Sequence, residues 1–239
     1  MNPPGFLDLM GFGPQGWGAA MLLAALVTLA VALSGFLVGL AIGALGAWAK
    51  LGGGRLLRAL ADAYTTVLRG IPELLVIYLF YFGSSAVLTP LAHLLGAGDF
   101  FSLPGFLAGT LAVGVVCGAY HTEVLRGAFR AVPAGEIEAA LAAGMPRLLR
   151  LRRIVAPLVL RHALPGLGNV WQIVLKDTAL ISVTGVVELM RQAQIGAGST
   201  RQPFSFFLGA AILYLVISSL SGWGLRRAER HALRGLRRG

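Results

Sequence analysis

The chain has 239 residues, of which 56% are hydrophobic and only 13% are charged, and its mean hydropathy is +0.77. A soluble domain of this length does not need so much apolar material to fill one core, so the composition excludes an ordinary soluble protein and predicts an integral membrane protein. The formal net charge of +10 would by itself suggest nucleic-acid binding, but the positions of the cations argue against that interpretation.

The first predicted element is an apolar segment near the N-terminus. No ionisable side chain occurs from Gly18 to Ala49, which exceeds the roughly 20 residues that cross a hydrocarbon core. The preceding residues contain no Lys or Arg and the apolar stretch is too long for a secretory signal, so we expect an interfacial segment with Trp17 and then a first membrane span. Further apolar stretches predict four more spans, about 64–87, 103–125, 157–187 and 204–225.

Two features of these spans predict how they pack. Gly35, Gly39, Gly43 and Gly46 recur in span one at the spacing of one helix face, which favours close approach of another helix. Cys117 is the only cysteine, so no internal disulfide can form, and we expect it to pack as a small apolar residue in span three. The fourth span is the least regular, because it is interrupted by Arg161, His162, Lys176 and Asp177.

Cations are concentrated in the loops of one side. They follow span one, surround the loop after span three and follow span five, whereas the opposite loops carry Arg191, Arg201, His93 and Asp99. The positive-inside rule therefore predicts a periplasmic N-terminus and a cytoplasmic C-terminus. We interpret the arginines as topology determinants and contacts with anionic membrane lipids, and we expect no nucleic-acid partner. The cations after span five are Arg226, Arg227, Arg230, Arg234, Arg237 and Arg238.

An alanine-rich segment in the loop after span three predicts a short, exposed helix. Pro133 breaks the preceding span, and Glu136 and Glu138 favour a helix N-terminus. Gly144 can adopt the left-handed conformation that ends a helix, and Pro146 then prevents that helix from resuming. The nearly bare alanine surface between them suits close contact with another protein, although a simple connector with good helix propensity is the alternative.

The spacing of this segment closely resembles the coupling motif of membrane subunits of ATP-binding-cassette importers. The residues that carry the resemblance are Glu138, Ala139, Ala140, Gly144, Ile154 and Pro157. Motifs at 65–72, 118–127, 132–133 and 175–178 follow in the order typical of the polar amino acid branch, and the chain looks most like the paired permease subunits for histidine, lysine, arginine, ornithine and opines. Ala156 departs from the pattern, because leucine is commoner there.

The resemblance implies an all-α integral membrane protein with about five transmembrane helices, the type I ABC importer permease fold and a cytoplasmic coupling helix. It implies one permease domain over residues 1–239, with the coupling loop at about 131–153. The expected location is the inner membrane of a diderm bacterium. The expected partners are ATPase subunits, a second and non-identical permease, an extracytoplasmic amino acid-binding protein, and a polar, basic amino acid substrate.

The chain itself lacks a GxxxxGK[ST] phosphate-binding loop. We therefore expect it to bind no cofactor, with ATP and Mg used by the partner ATPase. We also expect no catalytic residue and no enzymatic activity. His93, His121, His162 and His231 are scattered without ligand spacing, which predicts no metal site.

Ionisable side chains at membrane depth cost at least about 2.5 kcal/mol each, so we expect them to face a polar pathway or one another. Arg69 suits a substrate carboxylate, and Glu73, Glu123 or Asp177 suits an amine or guanidinium. The alternative is that Arg69 with Glu73, and Glu123 with Arg126, form intrahelical ion pairs that lower the insertion cost. Including neighbours on the same predicted helix faces, the pathway candidates are Thr66, Arg69, Glu73, Tyr120, Glu123, Asp177 and Thr178.

The alternative to import driven by an ATPase is an ion-coupled secondary transporter or a channel, which would use the intramembrane carboxylates without an ATPase. Five spans would then have to form a pathway by homo-oligomerisation, and the bare helix would have no purpose. A membrane-bound enzyme or assembly factor is a third class, for which the sequence offers no arrangement of catalytic residues.

Overall fold

In hydrocarbon, a backbone must satisfy its own hydrogen bonds, so the apolar segments of this chain fold as helices. The computed structural model describes residues 5–14, 16–94 and 101–232. Asp99, Arg234, Arg237 and Arg238, which we used to predict orientation, lie outside the described residues. The helices are α1 Phe6–Met10, α2 Gly18–Gly52, α3 Arg55–Gly70, α4 Glu73–Leu94, α5 Gly105–Arg130, α6 Ala134–Ala142, α7 Arg147–Arg150, α8 Ala156–Asp177, α9 Leu189–Thr200 and α10 Pro203–Ala232.

Four of these helices, α2, α4, α5 and α10, are long and apolar enough to cross a membrane. The fourth predicted span corresponds to α8, whose 22 residues would extend about 33 Å at the usual helical rise. The all-helical membrane fold with four to five spans is therefore confirmed. The predicted limit of span four at residue 187 is wrong, because α8 ends at Asp177 and a 3₁₀ segment, Thr178–Thr184, follows it.

The second predicted span is also wrong at its start. It was expected to begin at residue 64, but the chain there belongs to α3, which ends at Gly70, and a separate helix begins at Glu73. Ile71 between them is extended, with φ −103° and ψ 149°. Pro72 explains the break, because a proline disfavours the helical conformation at the residue before it. Thr66 and Arg69 therefore lie on a different helix from Glu73.

The centre of the molecule is the packing of α2 against α5. A Cβ atom added to Gly35 would lie 2.9 Å from Cγ1 of Val113, and one added to Gly39 or Gly43 would overlap Cys117 or His121. The predicted close approach of another helix to the glycine face of α2 is confirmed, since van der Waals contact at such short range is what small residues permit in membranes. Cys117 is 3% exposed and packs among apolar neighbours, as expected.

Glu188 joins three helices on the side of the molecule where α9 begins. Its carboxylate accepts hydrogen bonds from the backbone N–H groups of Met190 (2.9 Å) and Arg191 (2.7 Å) and from the Tyr214 hydroxyl (3.1 Å). The backbone N–H of Leu189 donates to Thr28 of α2 at 3.0 Å. The free N–H groups of α9 are thus satisfied by α2 and by the Glu188 cap, and α10 is tied to the same point.

Candidate functional site: a coupling loop and a polar cavity

The predicted short helix is present as α6, and its end has the expected geometry. Gly144 has φ +70°, in the left-handed region that favours glycine. Around this turn, the N–H of Gly144 donates to the carbonyl of Leu141 at 2.9 Å, and the N–H of Met145 donates to that of Ala140 at 3.1 Å. Both bonds satisfy carbonyl groups of the last helical turn.

The surface of α6 differs from an all-alanine surface. Ala140 is 4% exposed and faces inward, whereas Glu138 and Ala139 are exposed. Leu141 is 53% exposed, and our sequence analysis did not single it out. Among the described residues, Glu138 forms no ion pair, so its carboxylate is available to a partner. The outer face of α6 therefore combines a negative charge, an alanine and one large apolar side chain.

The rest of the coupling loop is more helical than predicted. Pro146 follows the turn at Gly144 and directly precedes α7, because a proline at the start of a helix loses no internal hydrogen bond. A π-helical segment, Leu151–Val155, then leads without interruption into α8. Ile154 is half-buried in this segment, and Pro157 lies in the first turn of α8. The residues of the coupling motif therefore occupy both sides of the α6–α7 turn.

A polar cavity of about 750 Å³ opens between α2, α3 and α5. Four of the predicted pathway residues line it, and the Arg69 guanidinium lies over the Tyr120 ring, 5.6 Å from its centroid, in cation–π geometry. The predicted residues in this cavity are Thr66, Arg69, Tyr120 and Glu123.

The other pathway candidates lie elsewhere. Glu73 and Asp177 line a second, much smaller cavity together with Tyr120, which therefore borders both spaces. Thr178 is fully buried, and its hydroxyl donates to the carbonyl of Leu175 at 2.7 Å, so it lines neither of these cavities. The predicted single face of Thr66, Arg69 and Glu73 is wrong, because the helix break at Pro72 separates them.

Glu123 is bound on both sides. Its Oε2 accepts a hydrogen bond from Nε of Arg126 at 3.0 Å, which confirms the intrahelical ion pair that we considered for these two residues. Its Oε1 lies 2.6 Å from Nζ of Lys50. The other proposed pair, Arg69 with Glu73, is wrong, since the two residues belong to different helices and no ion pair joins them.

Lys50 is a cavity residue that the sequence indicates only as one of the cations after span one. Its side chain is only 7% exposed, and its Nζ contacts Oδ1 of Asp62 at 2.8 Å and Oγ1 of Thr65 at 2.6 Å in addition to Glu123. A buried ammonium is stable only when such partners surround it. The available signal was its place at the end of a long uncharged segment, yet its partners are distant in sequence.

The histidines of the described residues form no cluster that could hold a metal ion. Across the described ranges, no group of three or more His, Cys, Asp or Glu side chains is placed to hold a metal ion. His121 is fully buried between α2 and α5, with its ring edge-to-face against Phe36 at 4.6 Å between centroids.

Comparison with known proteins places these features in a family. The family model of the binding-protein-dependent transport system inner membrane component matches residues 39–233. The chain is 60% identical to the octopine transport system permease protein OccQ of Rhizobium meliloti, covering 98% of this chain and 99% of the relative. It is 39% identical to the histidine/lysine/arginine/ornithine transport system permease protein HisQ of Escherichia coli, over 93% and 97% of the two chains.

A solved structure agrees with these relatives. A crystal structure of an amino acid ABC transporter with histidines matches with a TM-score of 0.76 at 28% identity. The match covers 90% of this chain and 95% of that chain. The likeness therefore extends over nearly the whole of both chains.

Proposed function

Because the chain belongs to the family of binding-protein-dependent transport system inner membrane components, we propose that it forms, with a second permease subunit, the membrane pathway of an importer for opines or basic amino acids. The family makes it a multi-pass inner-membrane permease component that works with a binding protein and an ATPase. The observation that carries the substrate class is its 60% identity to an octopine permease along 98% of its length.

The proposed pathway is the larger cavity. Octopine carries carboxylates and a guanidinium, so its recognition requires cationic donors and an acceptor or a ring face. Arg69, held over Tyr120, is positioned to donate hydrogen bonds to a carboxylate. Thr66 adds a hydroxyl on the same wall, and Glu73 and Asp177 supply acceptors at the smaller cavity that Tyr120 also borders. Glu123 is already paired, so its role would be to order the wall rather than to bind a guanidinium.

The proposed ATPase contact is the outer face of α6. Glu138 would pair with a basic group of the ATPase, while Ala139 permits close approach. Ala140, which faces inward, would support the helix, and Gly144 would set the turn that follows it. Ile154 and Pro157 would position the return of the chain into α8. In this arrangement ATP and Mg belong to the ATPase, and this chain binds no cofactor.

The proposed orientation has the N-terminus in the periplasm and the coupling loop and C-terminus in the cytoplasm. It is supported by exposed arginines in the coupling loop and in the last helix, among them Arg152 and Arg153 just before α8 and Arg227 in α10. These side chains suit contact with anionic lipid headgroups. The second permease is proposed to be a non-identical paralogue. Support for a second subunit comes from α4, of which little is buried within this chain.

Reconstitution tests the proposal. Proteoliposomes that contain this chain, its second permease and the ATPase, supplied with the binding protein and hydrolysable ATP, should accumulate radiolabelled octopine or arginine. Omission of the ATPase should abolish uptake. Uptake by this chain alone, driven by an ion gradient, would instead support a secondary transporter, and failure of the complete complex to move either solute would remove the proposed substrate class.

A further inference from the structure

Lys50 holds together two carboxylates from different helices. Its Nζ lies 2.8 Å from Oδ1 of Asp62 on α3 and 2.6 Å from Oε1 of Glu123 on α5. Two carboxylates that share one ammonium lie close enough to repel each other when that ammonium is removed. Arg126 also pairs with Glu123, through Oε2, but among the described residues Asp62 forms an ion pair with Lys50 alone.

Lys50 and its two carboxylate partners lie at the wall of the larger cavity. Lys50, Asp62 and Glu123 all line it, and their side chains are 7%, 58% and 23% exposed. The carboxylates are thus accessible from the cavity, whereas the lysine side chain is almost fully covered. If the lysine charge were absent, a cation from the cavity would find two acceptors and the Thr65 hydroxyl already arranged around an ammonium-sized position.

The charge of the cavity depends on the same residue. Two carboxylates, Asp62 and Glu123, face five cationic side chains, and the excess of positive charge repels a cationic solute from this part of the wall. Loss of Lys50 reduces that excess and at the same time frees Asp62 and Oε1 of Glu123, while Oε2 of Glu123 stays paired with Arg126. The cations that line the cavity are Lys50, Arg58, Arg69, Arg126 and Arg130.

We propose that Lys50 is a specificity-determining positioning residue, whose own ammonium occupies a cation site in the cavity wall and so prevents a guanidinium or ammonium of the solute from being retained there. The inference rests on the proposed function of the cavity as the solute pathway. A transporter of solutes with cationic groups must release them, and without Lys50 the unpaired Asp62 carboxylate and Oε1 of Glu123 would hold such groups back.

A matched pair of probes tests this proposal. Propylguanidinium and propylurea have nearly the same shape and differ in charge, so titration calorimetry of each into the nucleotide-free complex in nanodiscs reports capture of a cation. We expect Lys50→Met to bind propylguanidinium at least about tenfold more tightly than the wild-type complex. The affinity for propylurea should change less than about twofold, since that probe carries no charge for the carboxylates to attract.

Three further variants define the outcome. Lys50→Gln, which removes the charge but keeps a donor for Thr65, should reproduce the gain and replaces Lys50→Met if that complex does not assemble. Lys50→Arg should bind as the wild type does. Lys50→Gln combined with Asp62→Asn should lose the gain. An unchanged affinity of the assembled Lys50→Gln complex for propylguanidinium would overturn the proposal, as would an equal gain for propylurea.

Uptake by the wild-type complex separates this inference from the proposed function. If the wild type imports octopine or arginine but Lys50→Gln shows no gain in affinity, the pathway stands and the role of Lys50 is wrong. If Lys50→Gln shows the gain but the wild type imports neither solute, the cation site stands and the substrate class is wrong.

Discussion

Arg69 shows how one side chain can belong to both the structure and the proposed pathway. Its guanidinium carbon lies over the Tyr120 ring, 5.6 Å from the centroid, while the residue remains exposed to the larger cavity. An arginine in cation–π geometry still carries planar donors that can bind a carboxylate. The cation is thereby ordered by α5 although it is carried by α3.

Replacement of Arg69 tests its role. We expect Arg69→Ala to reduce kcat/KM for octopine uptake by at least about tenfold, because one charge-assisted carboxylate contact is lost. Arg69→Lys should give an intermediate loss, since lysine keeps the charge but not the planar donors. Uptake assays in proteoliposomes measure both variants, with Arg130→Ala, which removes another arginine of the same cavity, as the matched control. Wild-type uptake by both Arg69→Ala and Glu123→Gln would remove the proposed substrate site.

Three local features determine how the helices are arranged: the glycine face of α2, the end of α3 and the start of α9. The glycine face of α2 receives α5, Pro72 separates α3 from α4, and Glu188 anchors the start of α9. None of these contacts depends on a large apolar core, which would gain little over lipid in a membrane. Close approach and satisfied helix ends hold the elements together instead.

The glycine contact gives a prediction with an internal control. Gly39→Val should prevent α2 from reaching α5, because even a Cβ atom there overlaps Cys117 Sγ and lies 2.9 Å from the Gly114 carbonyl oxygen. We expect the free energy of unfolding to fall by at least about 1–3 kcal/mol, the usual cost of overpacking. Gly83→Val, in α4, has nothing within 4 Å of the added Cβ and should be tolerated. Equal thermal unfolding of the two purified variants would contradict the predicted contact.

The Glu188 cap gives a second prediction about stability. Glu188→Ala leaves the N–H groups of Met190 and Arg191 without their acceptor, so we expect the free energy of unfolding to fall by about 1 kcal/mol or more. Glu188→Gln keeps a side-chain oxygen and should lose less. Thermal unfolding of the purified complex measures the difference, with Glu136→Ala, on the exposed part of α6, as a control for an ordinary glutamate. A Glu188→Ala complex as stable as that control would show that the cap contributes nothing.

Local sequence signals predicted the elements that depend on neighbours in the chain. The alanine run and Gly144 predicted α6, and the glycine spacing predicted the tight face of α2. Pro72 also carries a signal for the break between α3 and α4, which the apolar stretch predicted over 64–87 does not take into account. The environment of Lys50 was beyond such reasoning, because Glu123 is 73 residues away and only tertiary packing brings them together.

At the scale of the whole molecule, α6 lies between two helices that border the cavities. On one side, α5 carries Tyr120 and Glu123 and ends at Arg130, shortly before α6. On the other, the chain continues through α7 and the π-helical segment into α8, which ends at Asp177 beside the smaller cavity. In the proposed mechanism, a displacement of α6 by the ATPase would therefore reach both cavities through rigid helices.

Charge reversal on α6 tests the proposed ATPase contact, from which this displacement would start. Glu138→Arg should leave the protein in the membrane but reduce co-purification of the ATPase at least about tenfold, because it puts like charges at the proposed contact. Glu136→Arg changes the net charge by the same amount and lies on the same helix, two residues before Glu138, so it is the matched control. A full complement of ATPase on the Glu138→Arg complex would exclude the outer face of α6 as the contact. The amount of bound ATPase, measured by gel densitometry, decides between the two.

The pairing of Lys50 with Glu123 also constrains biogenesis. During synthesis, α2 and α3 leave the ribosome before α5, so the Lys50 ammonium can pair with Asp62 before Glu123 exists. The first span therefore completes its ion pairs only after the third has been made, and a nascent chain truncated before residue 123 would keep the pair with Asp62 and lack the one with Glu123.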